Sequence, residues 1–537
     1  MGSGADFLQL NIADAPFGGR SAWLAGELRR AISDGRLPLG SRLPASRSLA
    51  ADLRVSRGVV TEAYQRLSED GHVVGRGRSG TVVVAAPVTA APATVRQPAD
   101  SARHPGRPPA DHPAHRPAPP SADSLFAAAP GPDCYDLLRA LPARIDLTPG
   151  IPDLASFPRA AWLRAERAVL RDLAAADLGY GDPRGAPALR LAVATWLARH
   201  RGIRADPDEV LIVSGTAQAI GLIAQVLRLH GISTVAVEDP GSLGARQHLH
   251  HWNVATPPVP VDAEGVRVDA LQAGGVPAVL LTPAHQFPTG VVLGGRRRRA
   301  LMRWAGAGGV VIEDDYDAEH RYDRPPVPAL RAMLPEQVWY AGSVSKILAP
   351  ALRVGWVLAP PQHRDDLVDA KRFADLGNAV LPQLVLARLM ASGELERRLR
   401  LLRRRHRQRR DAMIEALRAH LPGAVVHGAA AGLYLMATWA PTDPIDRADL
   451  THPGDRADPT HSTDPTHPAA LSDAAVAAEA LAGGVKVQPL SWHSQRPSRP
   501  GLVLGYAARS PSEIADGVAT LGALVGLSRL RHTESSV

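Results

Sequence analysis

Lysine is almost missing from this chain of 537 residues. It stands only at positions 346, 371 and 486 among 61 lysines and arginines, so arginine carries nearly all the positive charge. A guanidinium stays protonated and cannot condense with an aldehyde, which confines any such amine chemistry to three positions. Cysteine is scarcer still. The one thiol, Cys134, excludes an intrachain disulfide and a cysteine-based zinc site, and its Pro-rich surroundings suit an incidental thiol better than a nucleophile. The chain has no basic-then-apolar leader and no apolar run long enough to cross a bilayer, so a cytoplasmic protein with no membrane partner is expected. The net charge of +8 fits a nucleic-acid partner and fits an arginine-rich chain equally well.

The length implies more than one folding unit. Residues 7–85 read as a compact unit of amphipathic helices ending in a short strand pair. Residues 86–134 are rich in Pro, Ala, Arg and His with few large apolar groups and read as a flexible linker. From 135 to 537, apolar strand-like runs (VLIV at 210, TVAVE at 234, AVLLT at 278, GVVIED at 309) alternate with longer helical patterns, the signature of an α/β fold. Within it, Asp-x-Thr-His recurs at 449, 458 and 464. Histidine and aspartate can bind metal, but so much Pro and Gly makes a disordered insertion at about 441–470 the better reading, and no metal centre is expected.

In LPASRSLAADLRVSRGVVTEAYQRLSEDGHVV, one helical pattern covers about Ser46–Leu53, Arg54 to Ser56 turn the chain, and a second helix runs from Arg57 to about Glu69. That is helix-turn-helix spacing, and it sets Arg57, Gly58 and Thr61 toward bases and Ser56 toward a phosphate. Strand-like HVVGR and TVVV flank Gly77-Arg78-Ser79-Gly80, a hairpin whose tip carries Arg76 and Arg78. The plain alternative is a small helical domain with solvated arginines. Leu43-Pro44-Ala45-Ser46-Arg47, Val55-Ser56-Arg57, Ala63-Tyr64 and Arg76-Gly77-Arg78-Ser79-Gly80-Thr81 together resemble the winged-helix head of the GntR family. The resemblance implies contacts to double-stranded operator DNA by Arg47, Ser56, Arg57 and a wing that includes Arg76, Gly77, Arg78 and Thr81.

Lys346 follows the strand-like run VWYAGS and lies near Ser343, Ser345 and Arg353, so an amine sits beside hydroxyls and a guanidinium suited to phosphate. A strand running into Ser214-Gly215-Thr216-Ala217 and then a helix offers free backbone N–H groups to an anion. Strand alternation puts Asp314 and Tyr316 on one face and Asp315 on the other. Taken singly, these are a surface lysine, a common strand-helix turn and an acidic strand end or magnesium site. Together they form the inventory of a pyridoxal 5′-phosphate site.

The ordered segments Asp146–Gly150, Tyr180–Gly185, Ser214–Thr216, Glu238–Gly241, Thr282–Gly290, Glu313–Asp317, Ser345-Lys346 and Leu504–Ala507 resemble the fold-type I aminotransferases. With the head, the whole order resembles the MocR-type regulators. The resemblance implies a large domain with a mixed, mostly parallel sheet and a smaller α+β subdomain. It implies that Lys346 forms the Schiff base and that Asp314 pairs with the ring nitrogen. Tyr316 contacts O3′, while Gly215, Thr216, Ala217, Ser343, Ser345 and Arg353 hold the phosphate. Tyr180 arrives from the other subunit of a homodimer.

The departures bear on use. Ser242 stands where the family usually has a ring-stacking tyrosine, Phe287 where transaminases have asparagine, and Val503 near the usual carboxylate-binding arginine, with Arg509 close by. The expected function is a DNA-binding transcriptional regulator that senses the cofactor, or a small amine or amino acid, through the Lys346 Schiff base. The alternatives are an active aminotransferase carrying a DNA-binding domain and a constitutive DNA-binding protein with a purely structural body.

Overall fold

The computed structural model describes residues 12, 15, 19–33, 36–38, 40–69, 72–75, 80–84, 125–322, 327–439 and 472–534. The chain divides into two compact units, 1–120 and 121–537.

In the first unit, helices Arg20–Ser33, Ser46–Asp52 and Arg57–Glu69 precede an antiparallel pair, β1 (Val73–Gly75) and β2 (Thr81–Val83). The helical spacing of Leu24 and Leu28, with Leu49, Ala50, Leu53, Val60 and Leu67, closes a core onto which Val73 and Val83 fold from the hairpin. Arg54 takes a left-handed conformation (φ 53°) at the break between the second and third helices, which lets the chain reverse within four residues. The Tyr64 hydroxyl donates to the Pro44 carbonyl at 2.7 Å, and the Leu43 N–H donates to the Thr81 carbonyl at 2.9 Å. These bonds tie the loop before the second helix to the third helix and the hairpin. The expected tip residues Arg76, Gly77 and Arg78 lie outside the described residues.

The second unit holds β3 (Ile145–Asp146), β4 (Val210–Val213), β5 (Ala236–Asp239), β6 (Pro258–Asp262), β7 (Gly265–Val266), β8 (Ala278–Leu281), β9 (Val310–Asp315), β10 (Val338–Ser343), β11 (Gly355–Leu358), β12 (Val425–His427), β13 (Tyr434–Thr438), β14 (Val485–Lys486), β15 (Gln488–Pro489) and β16 (Gly501–Gly505). Eight form one sheet in the order β4-β11-β10-β9-β8-β5-β6-β7. The run from β10 to β6 is parallel, and antiparallel strands lie at both ends. Continuous apolar strands such as VLIV and AVLL are explained by helices on both faces. Helix Thr216–Leu229 packs with Val213, Leu280, Ile312 and Trp339 on one side, and Pro187–Arg201 with Val380–Ala391 packs with Ile212, Tyr340 and Trp356 on the other. A smaller α+β subdomain sets the antiparallel sheet β12-β13-β16-β15 and the parallel pair β3-β14 against helices Glu394–His420 and Pro511–Glu534.

One expectation needs correction. The linker expected over 86–134 does not extend to 134: Leu125, Phe126 and Cys134 are buried in the subdomain core, and Phe126 stacks on Trp492 at 5.3 Å. Two large apolar residues after the Pro-rich run are enough to dock the chain. In helix Glu394–His420, Leu395, Leu399 and Leu402 are buried together with Arg398 and Arg409, while Arg397, Arg400, Arg404 and Arg407 are exposed. Arg398 donates to the carbonyls of Ile347 and Ser156, Arg403 to Glu319, and Arg409 to Ala507 and the Asp153 carboxylate. The expected insertion at 441–470 lies outside the described residues, and no described helix is long and apolar enough to cross a membrane.

Gly185 ends the Tyr180–Gly185 motif with φ 104°, and a Cβ there would lie 2.5 Å from Ile212 Cγ1 and 2.7 Å from Gln383 Oε1. Gly185→Ala should therefore destabilise the body by about 3 kcal/mol, combining a left-handed penalty with overpacking. A thermal melt of the full chain that leaves Tm unchanged would refute this account of the turn.

Candidate functional site

Beneath the C-terminal ends of the parallel strands lies a cavity of about 650 Å³, lined by Thr216, Ala217, Asp314, Tyr316, Ser343, Ser345, Lys346 and Arg353 from the large domain, and by Tyr434, Lys486 and Gln488 from the subdomain. Most of the expected cofactor residues thus meet around one space. Gly215 adjoins it: with φ 82°, a Cβ on this residue would come within 3.4 Å of the Arg353 guanidinium. Tyr180 does not reach the cavity within its own chain, being 96% exposed.

The turn Ser214–Thr216 leads into helix Thr216–Leu229, whose first intrahelical bond runs from Ala219 N–H to the Gly215 carbonyl. The preceding N–H groups therefore face an anion-ready helix end. A hydrogen-bond network around buried Lys371 fixes this turn. Gln218 Oε1 accepts from Ser214 N–H at 2.7 Å and from Lys371 Nζ at 3.0 Å, while Lys371 also donates to Asp375 at 2.7 Å and to Asn378. Asn378 Nδ2 in turn donates to Ser214 Oγ at 3.1 Å. Lys371 is fully buried, so the second of the three lysines is a strut behind the turn.

Asp314 and Asp315 point to opposite faces of β9. Asp315 accepts from Arg201 Nε and from the Tyr340 hydroxyl, both at 2.5 Å, whereas Asp314 lines the cavity. Asp314 Oδ1 is buried and has no hydrogen-bond partner among the described residues. Burial, reinforced by Asp315 and opposed by Lys346, pushes the Asp314 carboxyl up to about 7. Lys346 Nζ donates to the Gly150 carbonyl at 2.6 Å, and burial lowers its proton affinity against the pull of Asp317 and Asp314. The Tyr316 hydroxyl lies 2.8 Å from that of Tyr434 and donates to the His285 carbonyl at 3.0 Å. Burial first, and then Asp317, raise its pKa well above the usual value, so it is a neutral phenol.

An unpaired carboxylate oxygen suits a ring N–H. A helix end beside serines and an arginine suits a phosphate, and a buried amine suits an aldehyde. The residues present therefore fit pyridoxal 5′-phosphate.

Of the lining residues, Tyr135, Tyr434 and Gln488 carried no signal in the sequence, whereas Ser242 and Phe287 stood out there as departures. Ser242 caps helix Leu243–His251 by accepting from Ala245 N–H. Beside it stands Tyr135, 3.7 Å from where a Cβ on Gly244 would project, with its ring edge-on to Trp492. Phe287 packs against Tyr434 and His493 at 5.1 and 4.9 Å. Val503 is wholly buried, and Arg509 Nε donates to the Asp146 carbonyl at 3.1 Å. Lys486, donating to the Leu141 carbonyl at 2.6 Å, and Arg139 are the cations at the subdomain end.

On the head, Arg47, Ser56, Arg57 and Thr61 are all exposed, and Thr81 is half-buried at the foot of the hairpin. The Thr61 hydroxyl donates to the Arg57 carbonyl at 2.9 Å.

Residues 144–477 match the family described as aminotransferase class I and II, and residues 21–83 match the bacterial regulatory proteins of the gntR family. The chain is 29% identical to the probable rhizopine catabolism regulatory protein MocR of Rhizobium meliloti, over 92% of this chain and 91% of that one. It is 29% identical to the pyridoxine biosynthesis transcriptional regulator PdxR of Corynebacterium glutamicum, over 76% and 81%. Among solved structures, the α-aminoadipate aminotransferase LysN of Thermus thermophilus, complexed with N-(5′-phosphopyridoxyl)-L-leucine, superposes with a TM-score of 0.62 at 27% identity. The match covers 76% of this chain and 97% of that one. The class I and II aminotransferase fold binds pyridoxal phosphate generally.

Because Asp314 holds its proton more tightly folded than unfolded, its contribution to stability falls as pH rises from about 4, its ordinary value, to about 7. In the cofactor-free protein, Asp314→Asn should raise Tm clearly more at pH 8 than at pH 5, where only about a third of the penalty has developed. Equal shifts at both pH values would contradict the assignment of a strained carboxylate.

Proposed function

With the chain a member of the aminotransferase class I and II family that carries a gntR-family head, we propose that it is a cytoplasmic transcriptional regulator of the MocR and PdxR type. In this reading it binds double-stranded operator DNA as a homodimer and senses pyridoxal 5′-phosphate, or a small amine or amino acid, in its body. The observation that carries the sensing half is the buried, unpartnered Asp314 Oδ1 in a cavity that also presents the Lys346 amine. When bound, pyridoxal phosphate supplies an aldehyde that takes up amines and a ring that withdraws electrons.

Asp314 would accept the ring N–H, which would stabilise the carboxylate charge that its buried surroundings otherwise resist. Lys346 presents a nucleophilic amine because burial disfavours its ammonium form. The N–H groups of Gly215, Thr216 and Ala217, the hydroxyls of Ser343 and Ser345, and Arg353 would hold the phosphate. Tyr316, which keeps its proton, would hydrogen-bond O3′. Tyr135 would supply the aromatic contact that Ser242 does not, a role supported by its position beside Gly244 on the same cavity.

The homodimer is supported by the exposure of Tyr180 (96%) and of the neighbouring Leu178 (64%), large side chains left in solvent. Tyr180 then serves the partner's phosphate site. On the head, Arg57 reads bases, Thr61 and Gly58 lie beside it, and Arg47, Ser56, Arg76, Gly77, Arg78 and Thr81 hold the backbone. A regulator is favoured over a working aminotransferase by the arginine position near β16. Val503 is buried there, and Arg509 is engaged with the Asp146 carbonyl rather than lining the cavity.

Wild-type protein titrated with pyridoxal phosphate should develop a visible absorbance band that Lys346→Ala lacks; identical spectra would end the Lys346 assignment. Tyr135→Ala should keep the band but bind the cofactor about threefold to tenfold more weakly, as loss of one aromatic contact implies. Arg57→Ala should weaken binding to a duplex selected by the full-length protein by about tenfold to a hundredfold. Parent affinity should fall steeply with salt. Undiminished binding by Arg57→Ala would mean that another face of the head meets DNA.

A further inference from the structure

On the large domain, away from the cavity lining, His230, His363 and Asp366 bring one ligating atom each to within 4.8 Å of one another. We propose that these three side chains form a binding site for a divalent zinc-class cation, with water completing a tetrahedron. Two imidazoles and a carboxylate, with one position left open, are an ordinary donor set for that ion.

The three residues come from two helix ends. His230 is the C-cap of helix Thr216–Leu229; His363 is the N-cap of helix Arg364–Asp375, and Asp366 lies in that helix's first turn. A cation is favoured where the carbonyls of the first helix end. His230 Nε2 and Asp366 Oδ2 are 2.7 Å apart, and the two imidazole rings meet at 4.5 Å, nearly edge to face. Bonds of about 2.1 Å to zinc would set donors roughly 3.4 Å apart, so the close pair must open and the wider pairs close by about 1 Å or a little more.

The second observation is at His363. It is only 8% exposed, its ring stacks on buried Trp339 at 5.4 Å, and its buried Nδ1 has no hydrogen-bond partner among the described residues.

The site has a structural consequence. Helices Thr216–Leu229 and Arg364–Asp375 are joined at their other ends by Gln218, Lys371 and Asp375, behind the Ser214–Thr216 turn. A bound cation closes the open end of that pair.

The test uses the full chain, stripped with chelator, in a background in which His452, His461 and His467 are alanine, so that the Asp-x-Thr-His repeats do not contribute. Zinc is titrated against a chromophoric chelator. The parent should bind one equivalent and gain Tm on saturation. His230→Ala, at an exposed position, should fold normally, bind at least tenfold more weakly and lose the Tm gain; Asp366→Asn should behave alike. Failure of the parent to bind zinc, or equal affinity in His230→Ala, overturns the proposal. Neither outcome depends on pyridoxal phosphate or DNA.

Discussion

Everything at the candidate site depends on how β9 presents three consecutive acids. Glu313 accepts the N–H groups of Leu330 and Arg331, both at 3.0 Å, and Asp315 is clamped by Arg201 and Tyr340. Those two face one side, so the pleat delivers Asp314 to the other, into the cavity. A slip of one residue would exchange the faces and put two carboxylates in the cavity where there is now one. The clamp is strong because it is buried: desolvation makes an unpaired Asp315 or Arg201 prohibitive, so the pair holds the register against any alternative.

The same reasoning explains the chain's preference for arginine. Buried carbonyls at loop ends need donors that stay charged and reach in several directions. Arg331 alone donates to Val338 and Ala359, and Arg398 to Ile347 and Ser156. The guanidinium fork serves such pairs of acceptors, whereas an ammonium offers a single compact donor group. Some of the arginines are therefore internal braces, Arg331, Arg398 and Arg409 among them, and the basic composition says less about DNA than the exposed Arg47 and Arg57 do.

Much of this was legible in the residues. Buried parallel strands declare themselves as unbroken apolar runs, and the Ser46 and Arg57 helices as amphipathic patterns around a tight break. The convergence of Lys346, Asp314, Thr216 and Arg353 followed because each sits at a strand end or helix start marked by local spacing. Tyr135, Lys371, Gln218 and Asn378 were not legible in those roles. Their partners lie far off in the chain, and a tyrosine beside a Pro-rich stretch or a lysine inside a helix looks the same whether it is packed or solvated. The end of the linker was misplaced for a related reason: Leu125 and Phe126 become core residues only once Trp492 is there to receive them.

The fate of the three lysines has a chemical corollary. Lys371 is sealed among side-chain partners, and Lys486 is 5% exposed and bonded to a backbone carbonyl. Lys346 is the least buried of the three lysine residues as a whole, and its amine opens onto the cavity that Lys486 also lines. An aldehyde diffusing over the surface meets guanidinium groups, which do not react with it, until it reaches the cavity. Scarcity of lysine elsewhere makes the protein chemoselective as a whole, and the composition of its surface contributes to the specificity of its interior.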